Sequence, residues 1–348
     1  MTSLDLSMPD IDVPLPEKVA FLSSPAAYPD HPAGVTALET HMSWVFRTDS
    51  LVYKLKKPIR LEGLDFRTLA ARHHFCCEEV RLNRRFTSDV YLGLTALTVD
   101  GGYALKLDGS GPVVDWLVRM RRLPDQLMLD HALQAGTISP DDLRPVATRL
   151  AEFYRIAAPV WITARQFRTR FVRATRANIR ELGRHIEGLD RPTLTSIAAG
   201  QSRFLDRHGD LLEERARAGR IVEGHGDLRP EHICLGHPPA VIDCLEFNRQ
   251  FRILDPADEL AFLALECERL GAPWAGIPIF DAYRDITGDD PAPDLITFYQ
   301  CHRACTRAKL AIWHLTRNGH PNEPKWILRA RDYLGRAARF AERLNANF

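Results

Sequence analysis

The residues best suited to chemistry are crowded into GHGDLRPEHICLGHPPAVIDCLEFN, positions 224–248. Arg229 follows Asp227 by two residues and His232 follows it by five, and Asp243 ends a short apolar run sixteen places on. This set suits phosphoryl transfer. One carboxylate accepts the proton of an attacking hydroxyl, a second holds a metal ion on the phosphates, and a guanidinium matches phosphate geometry. His225, His232 and His237, with Cys234 and Cys244, also raise zinc. Zinc sites favour tight ligand pairs or two ligands on one helical face, and these spacings give neither. Cys301 and Cys305, one turn apart with His302 between them, read instead as small core residues of an apolar helix.

The elements that must position these groups change character along the chain. Residues 1–32 are rich in proline and aspartate and read as an arm, with a short capping helix near Pro16–Ser23. From Gly34, VTALETHMSWVFRTDSLVYKLKKP alternates and is rich in β-branched and aromatic residues, which predicts three short antiparallel strands. FRTLAARHHFCCEEVRLNRRF then follows a helical period, and YLGLTALTV and VVDWLVRMRRL predict two more strands around Gly109–Gly111. Beyond Pro124 the texture is helical. Ser139-Pro140 opens a helix, and further helices are expected over 166–187, 192–218, the PADELAFLALECERLG stretch and the two long C-terminal runs. The change near residue 120 predicts two lobes, and ligands often bind at such a junction.

Formal net charge is +1, which gives no reason to expect nucleic acid or an anionic membrane as a partner. Three of the seven lysines fall together at Lys54, Lys56 and Lys57. No apolar run approaches a membrane-spanning length, no signal peptide is read at the start, and the seven cysteines show no disulfide spacing, so a reduced, cytoplasmic chain is expected.

HGDLRPEH is similar to the catalytic loop of protein kinase-like phosphotransferases, and VID to their following metal-binding aspartate. DPADELA resembles the later Asp-Pro element of the aminoglycoside phosphotransferase and choline kinase branch, with Glu259 at an aspartate position. VYKLKKP resembles the strand with the nucleotide-anchoring lysine, and CCEEVRLNRR the helix with its glutamate partner. With ETHMSWVF and VRMRR, their order over roughly residues 33–345 resembles the uncharacterised bacterial aminoglycoside phosphotransferase-like family of the protein kinase-like superfamily.

The resemblance implies an α+β, two-lobed protein kinase-like fold. Residues 1–32 would be the arm, 33–122 a small antiparallel-sheet N-lobe, and 123–348 a mostly helical C-lobe with the acceptor pocket. It implies an ATP- or GTP-dependent, Mg²⁺- or Mn²⁺-assisted kinase acting on a small-molecule hydroxyl, or less readily an amine. Asp227 would be the base, Arg229 would touch the transferred group and Asp243 would ligate metal. His225 would support the loop. Lys54 would hold the phosphates and pair with Glu79; Lys56 and Glu78 remain alternatives for those two roles. Val118 to Met120 would offer main chain to the nucleotide base. Arg303 and Arg307, one turn apart, would line the pocket and favour an anionic acceptor, against the alternative of a solvated stripe.

Two departures stand out. His232 occupies the place of a metal-binding asparagine, and imidazole suits hard Mg²⁺ poorly. A single metal, a softer ion, Glu246 as ligand, or lost catalysis would each accommodate it. ALETHMSWVF, where a glycine-rich loop would cover the nucleotide, contains no glycine; amides around Thr40 to Ser43 would have to serve. Both departures keep open a nucleotide-binding pseudokinase that signals or scaffolds. The acceptor and the oligomeric state are not legible.

Overall fold

The computed structural model describes residues 12–61, 63–185, 191–317 and 324–346. Expected helical positions 186–187, and Asn318 and Gly319 at the end of one C-terminal run, lie outside them. The chain divides into two compact units: Met1–Leu127 with Ala240–Arg249, and Met128–Pro239 with Gln250–Phe348. The compositional change near residue 120 thus falls near the first boundary, and the last nine residues of the chemical segment, 240–248, belong to the first unit.

The first unit is built on a six-stranded antiparallel sheet. Its strands are β1 (Thr36–Glu39), β2 (Ser43–Arg47), β3 (Leu51–Lys56), β4 (Tyr91–Val99), β5 (Leu105–Leu107) and β6 (Val113–Arg121). Their spatial order is β1-β2-β3-β6-β4-β5. Alternation along β3 sends Tyr53 and Leu55 into a core with Leu22, Tyr28, Phe46 and Leu117, which leaves Lys54 and Lys56 on the other face. Helix α1 (Leu15–Leu22) supplies Leu22 to that core, so the capping-helix part of the arm is integral to this unit. Helix α2 (Leu69–Asn83) starts at Thr68, whose hydroxyl accepts from Ala71 N–H at 3.1 Å. Asp115 of β6 is 1% exposed and is held by Lys18 of α1 at 2.8 Å and by Arg72 of α2 at 2.7 Å.

The second unit is helical. Its elements are α3 (Leu129–Ala135), α4 (Pro140–Ile156), α5 (Ala164–His185), α6 (Arg191–Arg207), α7 (Gly209–Arg217), α8 (Pro256–Arg269), α9 (Gly276–Thr287), α10 (Pro293–Arg317) and α11 (Pro324–Ala346). Ser139 opens α4 as expected, its N–H donating to Asp142 at 2.8 Å. The span expected as one helix over 192–218 is two, broken at His208. The Arg168 guanidinium packs on Gly209 where a Cβ would stand, so a larger residue there would displace the end of that side chain. Cys301 and Cys305 are fully buried among Phe298, Ala304 and Ala337. The neighbouring His302 is also buried, and burial, reinforced by Arg303, lowers its pKa to about 3, so the ring is neutral in the core.

The N-terminus of α8 is tied down by charge. Asp255 caps it, accepting from Ala257 N–H at 2.9 Å. The same carboxylate takes two bonds of 2.8 Å from Arg215, whose fork also grips Asp289 at 2.5 and 2.6 Å, and Tyr299 donates to Asp255 at 2.9 Å. Arg215 is 7% exposed. Removing one member of a buried ionic group leaves the rest uncompensated, so Arg215→Met is expected to cost about 3–5 kcal/mol, read by chemical denaturation. A loss under about 1 kcal/mol would show the cluster to be solvated.

Candidate active site

In the first unit, register and helix phase bring four of the expected groups together. Lys54 Nζ donates to Glu79 Oε1 at 2.9 Å and to Asp243 Oδ1 at 2.7 Å. Glu78 instead pairs with Arg81 at the surface, at 2.8 Å. Lys56 is not an idle neighbour: it donates to Glu79 Oε2 at 2.7 Å and to Glu246. Burial alone would lower the Lys54 pKa, but Asp243 and Glu79 more than offset it and hold the ammonium well above its ordinary value. Burial likewise pushes Glu79 up, and the two lysines overcome it.

Asp243 is placed by its main chain. Its N–H donates to the Tyr91 hydroxyl at 3.0 Å, the Cys244 N–H donates to Asn83 Oδ1 at 2.8 Å, and Thr87 exchanges two bonds with Val241 at 2.9 and 3.0 Å. The Asp243 φ is +60°, a left-handed conformation unusual for a non-glycine residue. Its carboxylate remains 44% exposed, an oxygen donor of the kind that hard divalent cations take.

Val118 and Met120 do not offer main chain. They lie inside the central strand, in register with Lys54 and Val52 on one side and Leu94 and Tyr91 on the other. Their peptide groups are spent in the ladder, as are the next two amides, from Arg121 to Val90 and from Arg122 to Ser50, at 2.8 Å each. Main chain beyond the ladder begins at Leu123. In the β1–β2 turn, Thr40 N–H donates to Ser43 O at 2.8 Å and Ser43 N–H to Thr40 Oγ1 at 2.9 Å, so these two amides close the turn itself.

In the second unit, Asp227 sits in a loop fastened from beneath by Glu259. That carboxylate accepts from the His225 N–H at 2.9 Å, the Gly226 N–H at 2.5 Å and the Tyr154 hydroxyl at 2.7 Å. A glutamate fits because residue 224 is glycine: a Cβ there would stand 2.5 Å from Glu259 Oε2 and 2.9 Å from Leu254 Cδ1. Gly224→Ala is therefore expected to displace Glu259, to cost about 2–3 kcal/mol by denaturation, and to lower any turnover that depends on Asp227.

Arg229 Nε donates to Asp227 Oδ2 at 3.0 Å, and a terminal nitrogen donates to Glu231 at 2.5 Å. Arg307 Nη1 lies 3.9 Å from Asp227 Oδ1. Burial pushes the Asp227 carboxyl up, but these cations, led by Arg229, hold it below its ordinary 3.8. His232 Nδ1 lies 2.8 Å from the Asp227 carbonyl, which only accepts, so Nδ1 carries the proton; Nε2, 3.3 Å from an Arg229 donor, is then the acceptor. In this tautomer His232 braces the loop and turns neither nitrogen's lone pair toward a metal.

The two acceptor candidates separate. Arg303 is clamped by both oxygens of Asp258, at 2.8 and 2.6 Å. Arg307 has a buried Nε with no hydrogen-bond partner among the described residues, 3.9 Å from Glu266 Oε1, and its guanidinium lies near the rings of Phe262 and Tyr333 at 5.9 and 5.8 Å.

No protein-family model matches the chain. An uncharacterised protein of Mycobacterium tuberculosis and one of Mycobacterium bovis are each 32% identical over 275 residues, covering 78% of this chain and 53% of the relative. The chain thus spans about half the length of the curated relatives it matches. Three solved structures superpose over nearly the whole chain. A choline/ethanolamine kinase family protein from Mesorhizobium loti gives a TM-score of 0.51 at 14% identity, covering 93% of this chain and 94% of that one. A glucosamine kinase with glucosamine, ADP and inorganic phosphate gives 0.54 at 16%, covering 94% and 86%. A thermostable aminoglycoside phosphotransferase variant with AMP-PNP and hygromycin B gives 0.53 at 10%, covering 94% and 98%. The chain therefore has the protein kinase-like α+β fold. Among the described residues, no helix is long and apolar enough to cross a membrane.

Proposed function

We propose that this chain transfers the terminal phosphoryl group of ATP or GTP to a hydroxyl of a small molecule. The observation that carries the reading is the Lys54 ammonium held jointly by Glu79 and Asp243. A cation so placed can exchange Asp243 for phosphate oxygens without leaving its buried glutamate. Asp243 is the residue that would hold Mg²⁺ or Mn²⁺, which supplies charge neutralisation on the phosphates. The nucleotide base would meet main chain from Leu123 onward.

Asp227, ionised at neutral pH, accepts the proton of the acceptor hydroxyl as that oxygen bonds to phosphorus and the bond to the leaving diphosphate breaks. Arg229 keeps the Asp227 carboxylate oriented and places a cation beside the transferred group. His225 and Glu259 hold the loop from below. The titration that tests this compares nucleotide affinity with and without Mg²⁺ or Mn²⁺. Metal-dependent binding is expected, and no binding under any condition would refute it. The His232 tautomer is the observation favouring the second reading, a nucleotide-binding pseudokinase; binding with no turnover of any acceptor would select it.

The acceptor, by this reading, carries an anionic group. Arg307 supports this: its buried Nε makes no hydrogen bond among the described residues and its two carboxylate neighbours, Glu266 and Asp227, each stand 3.9 Å away, whereas Arg303 is held tightly by both oxygens of Asp258. Charge reversal at Arg307 is expected to raise the acceptor KM about tenfold or more while leaving nucleotide affinity near wild type. Unchanged acceptor kinetics would remove the anionic requirement.

A further inference from the structure

Glu79 is 0% exposed, and its two oxygens are divided between two lysines. Those lysines stand in different surroundings. Lys54 has a side chain 14% exposed and a half-exposed partner in Asp243. Lys56 is 0% exposed, joins Glu79 to Glu246, and lies 5.2 Å from the Phe66 ring centre. Like Lys54, Lys56 joins three parts of the unit, but wholly out of solvent: its own strand β3, helix α2 by way of Glu79, and the returning segment by way of Glu246. Two ammonium groups face three carboxylates, so the ionised group carries one excess negative charge, on the side where Asp243 reaches solvent.

A buried carboxylate stripped of its cation is strongly disfavoured. If Lys54 were the sole partner of Glu79, moving it toward phosphate would expose that cost. With Lys56 in place, one oxygen of Glu79 stays paired throughout. We propose that Lys56 is a positioning residue: it keeps Glu79 neutralised and the Asp243 segment fixed to α2 and the sheet while Lys54 is given over to the nucleotide. The nucleotide part of this inference rests on the phosphotransferase reading; the fixed segment does not. Helix α2 and the segment bearing Asp243 are then one preassembled body with the sheet, not parts that swing into place on binding.

The test compares the full-length wild-type chain with Lys56→Met and the milder Glu246→Gln. Without nucleotide, amides of residues 241–246 are expected to exchange with solvent about tenfold faster in both variants. Mg²⁺–ATP affinity is expected to fall about tenfold or more in Lys56→Met. In a Lys54→Ala background the same change should weaken binding by less than about twofold, since its effect passes through Lys54. Wild-type exchange in both variants overturns the inference, and so does full additivity of the two lysine changes. Should Lys56→Met fail to fold, Glu246→Gln decides the exchange arm. A wild-type chain that binds no Mg²⁺–ATP sinks the phosphotransferase reading, and the exchange arm still decides whether the segment is locked.

Discussion

Asp227→Asn is expected to lower turnover about 10²–10⁴-fold while leaving nucleotide affinity within about twofold of wild type. The asparagine keeps the shape that Arg229 grips but cannot take a proton from the acceptor. The loop should survive the change, because its fastening is the Glu259 carboxylate beneath His225 and Gly226, not the Asp227 side chain. The sign of the pH dependence follows from the same site. Asp227 titrates below 3.8 in the folded chain, so its ion-pair stabilisation is complete above the unfolded value and is lost as pH falls through the folded one. Between about pH 5 and 8 it is already ionised, as the proposed base must be, so Asp227 should contribute no acid limb to the rate profile in that window. Full activity of that variant would remove Asp227 from the chemistry.

Asp243→Asn is expected to act on a different term. It removes the exposed carboxylate charge beside Lys54 while keeping the main-chain bond to Tyr91. Turnover should fall about a thousandfold, as when a preorganised electrostatic contact at the transferring group is lost. Nucleotide binding should also cease to respond to Mg²⁺, so titrations with and without metal become alike. A variant whose affinity still rises with Mg²⁺ would show the ion to be held elsewhere. Lys54 keeps Glu79 as a partner in this variant, so the fold should tolerate it.

Much of this was legible before coordinates, for physical reasons. Two-residue alternation along VYKLKK put Lys54 and Lys56 on one face, whereas Glu78 and Glu79 stayed alternatives, and it is the surface pair Glu78–Arg81 that tells them apart. Side-chain partners far apart in sequence were not legible. Glu246 meets Lys56 across 190 residues, and Tyr154 meets Glu259 across 105. No local pattern encodes such pairs, so Lys56 read as an alternative to Lys54 when both lysines share Glu79. That Val118 and Met120 lie in the sheet ladder was not legible, because a strand sequence does not show which of its peptides the neighbouring strands consume. Arg303 and Arg307 read alike from helical spacing, and only their distant carboxylates tell them apart: Asp258 clamps Arg303, while Asp227 and Glu266 stand 3.9 Å from Arg307.

Transfer of label from γ-labelled ATP or GTP into an unfractionated pool of small metabolites, with Mg²⁺ present, measures the proposed chemistry itself. The expected result is one or a few phosphorylated products, made by the wild-type chain and reduced at least about a hundredfold by Asp227→Asn. A folded wild-type chain that binds the metal nucleotide yet labels nothing, or labels the same product equally well without Asp227, would contradict it.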